Sequence, residues 1–177
     1  MIGIVRKTAV LCAFALALAP LALADSHAFL EEAQARLGTL QEKFTGLAEA
    51  TPADKFTYRP ADGVRSTSEV FLHVAQANYG VSRAFGKQPP EGLNLRGLQT
   101  STTDKAEIVS RLKASFEHLS GAVGGVGAGD ADKAMRMFGR ETTTRGALWT
   151  VLGHMSEHLG QSIAYARANG VTPPWSE

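Results

Sequence analysis

The chain has 177 residues, a formal net charge of +1, 44% hydrophobic content and 7% aromatic content. That is the composition of one globular domain. The basic residues are scattered and form no run, which argues against a nucleic-acid binder.

The first 24 residues differ from the rest. Arg6 and Lys7 precede an apolar run, Thr8 to Ala24, that ends in Ala22-Leu23-Ala24. A charged start, an apolar middle and an A-x-A site predict a signal peptide over 1–24 and a mature domain over 25–177, periplasmic or secreted. A retained anchor is the rival reading, but the run is short for a membrane span and holds Pro20. Leu11 before Cys12 fits a lipoprotein cleavage site poorly, so lipidation is not expected. Cys12 is the sole cysteine, so cleavage leaves a chain with no disulfide and no thiol nucleophile, held by a packed core. Cleavage would also expose Asp25-Ser26-His27 as a new N-terminus. An amine, two amide nitrogens and an imidazole make a square-planar set suited to Cu(II) or Ni(II). A solvated histidine on a frayed terminus is the plainer alternative.

From Ser26, apolar Phe29, Ala33, Leu37, Leu40, Phe44 and Leu47 recur at steps of three and four, a helix ending near Ala50 before Pro52. After a Pro-, Asp- and Gly-bearing connection, Ser66 with Glu69 forms a capping box that starts a second helix running to about Phe85. Its stripe through His73 holds the small residues Ala77, Gly80 and Ala84, which allow a helix or a ligand to come close. A lone histidine there also fits an ordinary core position. Gly86 to Ser101 is a crossover. A third helix begins at Thr103 or Asp104 and continues through Ile108, Leu112, Phe116 and Leu119. His118 falls off that line and reads as exposed. Gly121 to Gly129 is glycine-dense without the lysine of a phosphate loop. Asp130 to Met137 reads as a short helix, and no alternating β-branched run predicts a sheet.

Thr144 to Gly170 reads as one long helix, capped by Thr142 or Thr143 and stopped by Gly170 and Pro173-Pro174. His154 and His158 stand at i and i+4, on one stripe with Ala147, Val151, Gln161 and Tyr165. Leu148, Leu152, Met155, Leu159 and Ile163 supply the packing flank. The pair suits a metal ion or two unrelated histidines equally. It is not a metalloprotease helix, because Met155 occupies the place of that motif's general-base Glu. The expected fold is all-α, a four-helix bundle with long crossover connections of the kind that often border a functional cleft.

Three stretches taken together carry a resemblance. Phe56-Thr57-Tyr58-Arg59-Pro60-Ala61-Asp62-Gly63-Val64-Arg65-Ser66 leads into the His73 helix. His154-Met155-Ser156-Glu157-His158-Leu159-Gly160-Gln161 lies on the last helix, and Asn169-Gly170-Val171-Thr172-Pro173-Pro174-Trp175-Ser176-Glu177 closes the chain. The layout resembles the DinB-like family of metal-binding four-helix bundles. The resemblance implies a metal site at His73, His154 and His158, a divalent ion such as Zn or Ni, and a dimer in many members. Some relatives transfer or isomerise groups with low-molecular-weight thiols, which are chiefly cytosolic and so sit badly with export. Glu157 and Leu159 stand where many relatives have a further His and an Arg, which weakens an anion-binding role at that rim.

Three imidazoles and no thiolate leave coordination positions open, as in catalytic zinc sites. Such an ion acidifies a water and polarises a substrate oxygen. Gln161 and Tyr165 are the candidates for orienting ligands or substrate. Glu157 reaches the rim only from the side, and Arg136 and Arg140 are candidates for binding an anion. The expected function is a metal-dependent hydrolase or group transferase acting on a small molecule. The alternatives are a non-catalytic metal-binding bundle and a dimeric interaction module.

Overall fold

The computed structural model describes the backbone of residues 3–176 and the side chains of residues 23–176. The leader expected over 1–24, with Cys12, lies almost wholly outside the described side chains. Among the described residues four α-helices form the frame: α1 (Gly3–Ala50), α2 (Thr67–Ser82), α3 (Lys105–Gly124) and α4 (Thr144–Ala168). α2 packs on α3 and α4, and α1 packs on the same two, so the order round the bundle is α1, α3, α2, α4. Among the described residues no helix is long and apolar enough to cross a membrane.

The helix ends follow local chemistry. Ser66 Oγ accepts from the Glu69 amide at 3.3 Å, and a Glu69 carboxylate oxygen accepts from the Ser66 amide at 2.8 Å, completing the capping box of α2. Asp104 caps α3 by accepting from the Glu107 amide at 2.8 Å, and Thr143 caps α4 by accepting from the Gly146 amide at 3.2 Å. Past the C-cap Asn169, Gly170 takes the left-handed conformation (φ 74°) that a side chain would resist.

The periodic apolar residues meet in one core. Phe44, Phe56, Phe71 and Phe116 are fully enclosed, with ring centroids 5.7 Å apart for Phe44–Phe116 and 5.9 Å for Phe56–Phe71. From α4, Leu148, Met155 and Leu159 are buried in it, while Leu152 and Ile163 pack at its edge. Both crossovers are fastened to the frame. The amides of Thr67 and Ser68 donate to the carbonyls of Tyr58 and Phe56 at 2.9 and 2.8 Å, so the first connection folds back on the start of α2. In the second, a short 3₁₀ turn, Leu98–Thr100, sinks Leu98 into the core.

Two expectations are corrected. The stretch after the glycine-dense segment is an antiparallel hairpin, β1 (Ala134–Met137) with β2 (Arg140–Thr143), rather than a helix, so a small sheet is present. Met137 pairs with Arg140, leaving the two-residue turn Phe138-Gly139. Both turn residues have positive φ, 51° and 78°, the pattern of a tight primed hairpin turn. His118, expected in solvent, is half-buried instead. The packing of α3 on α2 lays its ring against Tyr79 at 5.1 Å, and its Nε2 is enclosed with no partner among the described residues. Burial, then the charge of Lys87, hold its pKa below the usual histidine value.

Candidate metal centre

α2 and α4 are neighbours, and their histidine stripes face each other. One nitrogen from each of His73, His154 and His158 lies within 4.8 Å of the other two, a grouping that can hold a metal ion. The ring centroids form a tight triangle: 5.3 Å for His73–His154, 4.7 Å for His73–His158 and 4.6 Å for His154–His158. The Nε2 atoms of His73 and His154 are 3.2 Å apart. Two imidazole nitrogens on one tetrahedral zinc, each bonded at about 2.0–2.1 Å, stand roughly 3.4 Å apart, so the spacing fits.

Further groups set the ring orientations. Gln161 Oε1 lies 2.9 Å from His158 Nδ1, and Gln161 Nε2 donates to the Tyr165 hydroxyl at 3.0 Å. Tyr165 is buried with its ring edge-on to Tyr58 at 5.8 Å, which holds the chain of contacts in place. Gln161 and Tyr165 thus stand behind His158, as the shared stripe predicts. On the other helix, His73 Nδ1 lies 3.2 Å from Gln99 Oε1, and the Arg65 Nε–H donates to that same oxygen at 3.1 Å. Sequence reasoning missed both residues. Gln99 comes from the second crossover and Arg65 from the first, and nothing local marks either.

The electrostatics favour neutral rings. Burial lowers the His73 pKa to about 4, helped by the charges of Arg65, His158 and His154 and opposed by the Gln99 hydrogen bond. Burial likewise lowers His154, with His158 and Arg65 acting in the same direction and Glu157 against them. Both rings are therefore unprotonated at neutral pH, the state that metal binding requires.

A cavity of about 270 Å³ opens beside two of the three histidines, lined by His73, His154, Ala77, Leu95, Val151 and Phe138. Gly80 widens its floor, as the small-residue stripe of α2 predicts. The hairpin places Phe138 at the mouth, where its side chain is 77% exposed.

The other candidates lie elsewhere. Glu157 is exposed. Arg136 bonds its own hairpin, with Glu141 at 3.3 Å and the Gly139 carbonyl at 3.2 Å, and neither it nor Arg140 lines the cavity beside the histidines. Glu69, one turn from His73, is occupied by its cap and by Arg59 at 2.9 Å. Asp25 and Ser26 lie within α1, both held by Arg145, at 3.2 and 3.3 Å, while His27 is exposed beside Glu31.

Comparison with known proteins agrees with the fold. A crystal structure of a DinB-like protein from Bacillus cereus ATCC 10987 matches with a TM-score of 0.66 at 18% identity, covering 76% of this chain and 89% of that one. A DinB-like protein, YjoA, from Bacillus subtilis matches with a TM-score of 0.65 at 23% identity, covering 82% of this chain and 97% of that one. No curated protein matches the chain. The model of the DinB superfamily matches residues 24–162, a span that takes in α2, α3, most of α4 and all three histidines, and the chain belongs to that superfamily.

Proposed function

We propose that this DinB-superfamily protein binds one divalent ion, Zn or Ni, through His73, His154 and His158 and is a metal-dependent hydrolase or group transferase. The observation that carries the reading is the cavity of about 270 Å³ opening against His73 and His154. A site that only fastens two helices has no need of such a space, and structural zinc sites are normally closed by four protein ligands. A divalent ion held there would supply Lewis acidity to a water or to a substrate oxygen. The chain does the rest. Gln161 and Gln99 hold the rings, and Ala77, Leu95, Val151 and Phe138 exclude water and receive the apolar part of a small molecule. α2 and α4 are already joined by buried apolar residues, so the ion is free to serve chemistry.

Elemental analysis of the purified protein, with His158→Ala beside it, tests this. The reading expects one equivalent of metal in the parent, none in the variant, a small change in melting temperature, and turnover of an ester, amide or phosphate substrate by the parent alone. A large loss of stability with no turnover would instead favour a non-catalytic metal-binding bundle. A parent without stoichiometric metal would leave only a dimeric interaction module. Export after cleavage at Ala24, and a homodimer, belong to the same proposal. The mass of the protein recovered from the periplasm or medium tests the first, and Asp25-Ser26-His27 would then offer a separate Cu(II) or Ni(II) terminus.

A further inference from the structure

We propose that Arg65 is a positioning residue which, through Gln99, fixes His73 as the tautomer protonated on Nδ1 and so presents its Nε2 lone pair to the cation. The inference rests on the metal-site reading above for its purpose, but its core concerns the metal-free protein.

A primary amide can rotate by half a turn and exchange its oxygen for its nitrogen, so a glutamine beside a histidine does not by itself decide which ring nitrogen carries the proton. A guanidinium removes that freedom, because it has donors and no acceptor. The Arg65 Nε–H points at Gln99 at 3.1 Å, so the atom it meets must be Oε1. That same oxygen is 3.2 Å from His73 Nδ1. An oxygen only accepts, so Nδ1 must donate, and the ring's second nitrogen is left bare. It is this second nitrogen, Nε2, that lies 3.2 Å from His154 Nε2 in the ligand cluster.

His158 supplies the contrast. Gln161 faces it at 2.9 Å, but the far end of that amide meets the Tyr165 hydroxyl, which donates as readily as it accepts. Either amide orientation satisfies that chain, so Gln161 can follow the ring. Gln99 cannot, and only Gln99 is backed by an obligate donor. The scaffold supports the asymmetry. Arg65 immediately precedes the capped start of α2, and Gln99 sits next to Leu98, which is 1% exposed in the core.

A charge-only role for Arg65 makes the opposite prediction, which gives the test its power. A guanidinium near a cation site repels the cation, so its loss would tighten metal binding. The relay predicts that Arg65→Met weakens binding of Zn(II), by about ten- to a hundredfold as for other groups that orient metal ligands. Arg65→Lys, which keeps a donor, should recover most of that loss. Gln99→Met should weaken binding to a similar degree, and the double variant should be no worse than the singles. ¹⁵N NMR of the metal-free protein at pH 8 should show His73 protonated on Nδ1 in the parent and as a tautomer mixture in Arg65→Met. Should Arg65→Met not fold, Gln99→Met and Arg65→Lys carry the same comparison. Tighter Zn(II) binding on loss of Arg65, additive losses in the double variant, or a parent His73 protonated on Nε2 would overturn the relay. A parent that takes up no Zn(II) yet shows the Nδ1 tautomer would sink the metal reading and leave the relay standing.

Discussion

His73 couples the site to the proton concentration. Its folded pKa, about 4, lies below the ordinary histidine value of 6.5, because burial disfavours the charged ring. The unfolded chain therefore binds the proton more tightly, and stability rises with pH between those two values. The contribution is complete above about pH 6.5 and is lost as the pH falls towards 4. Denaturant midpoints of the metal-free protein should fall across that window, and His73→Gln should flatten much of the fall. A parent midpoint constant from pH 7 to 4.5 would contradict it. Glu69 acts lower on the scale. The Ser66 amide, chiefly, holds its carboxyl below the usual range, so its contribution is present above about pH 4.5 and goes only in stronger acid. That the two histidines of α4 share one stripe was readable from their spacing, but the spacing suits two unrelated histidines as well as a metal pair. His73 needed the family resemblance, since a single histidine on a helix looks the same whether or not it faces a partner. Arg65 and Gln99 were not readable. Their meeting is made by two crossovers whose ends lie far apart in sequence, and no local pattern encodes it.

Among the elements, helices were foreseen well because their ends carry explicit capping chemistry. Ser66→Ala should cost about 1 kcal/mol, the ordinary worth of such a cap, measurable by chemical denaturation. The hairpin escaped because its strands are four residues each, too short for alternation to show, and its turn is Phe-Gly rather than Asn-Gly. Phe138 holds a left-handed φ of 51°, where a bulky side chain is costly. Phe138→Asn should relieve that strain, raising stability by about 1 kcal/mol or a few degrees in melting temperature. It should also weaken binding of apolar substrates, since the ring lines the cavity mouth. A variant less stable than the parent would show that the ring's packing outweighs the backbone cost. The misplacement of His118 has a similar origin. A helix periodicity reports one apolar face, and Tyr79 of α2 covers a position just beside that face.

For the molecule as a whole, the apolar core fixes the distance between α2 and α4 and thereby the distance between His73 and the two histidines of α4. The order of helices round the bundle was out of reach of the sequence, because periodicity says which face is buried and not by what. It is this order that makes α2 and α4 neighbours. Leu98 ties the core to the site directly: it is buried, and the next residue holds His73. Leu98→Ala should cost about 2–5 kcal/mol and also weaken metal binding, whereas Phe116→Ala, on α3, which carries none of the three histidines, should cost about 3–5 kcal/mol with affinity nearly unchanged once folded. Equal effects of the two on affinity would mean that the second crossover does not position the site. The central claim is that rings from α2 and α4 share one cation and leave part of its coordination open. Anomalous diffraction at the zinc edge from crystals of the zinc-loaded protein tests it most directly. A single peak within bonding distance of His73, His154 and His158, with a non-protein atom in the remaining position facing the cavity, is the predicted map. A map with no peak there, or with a fourth protein atom closing the shell, would contradict it.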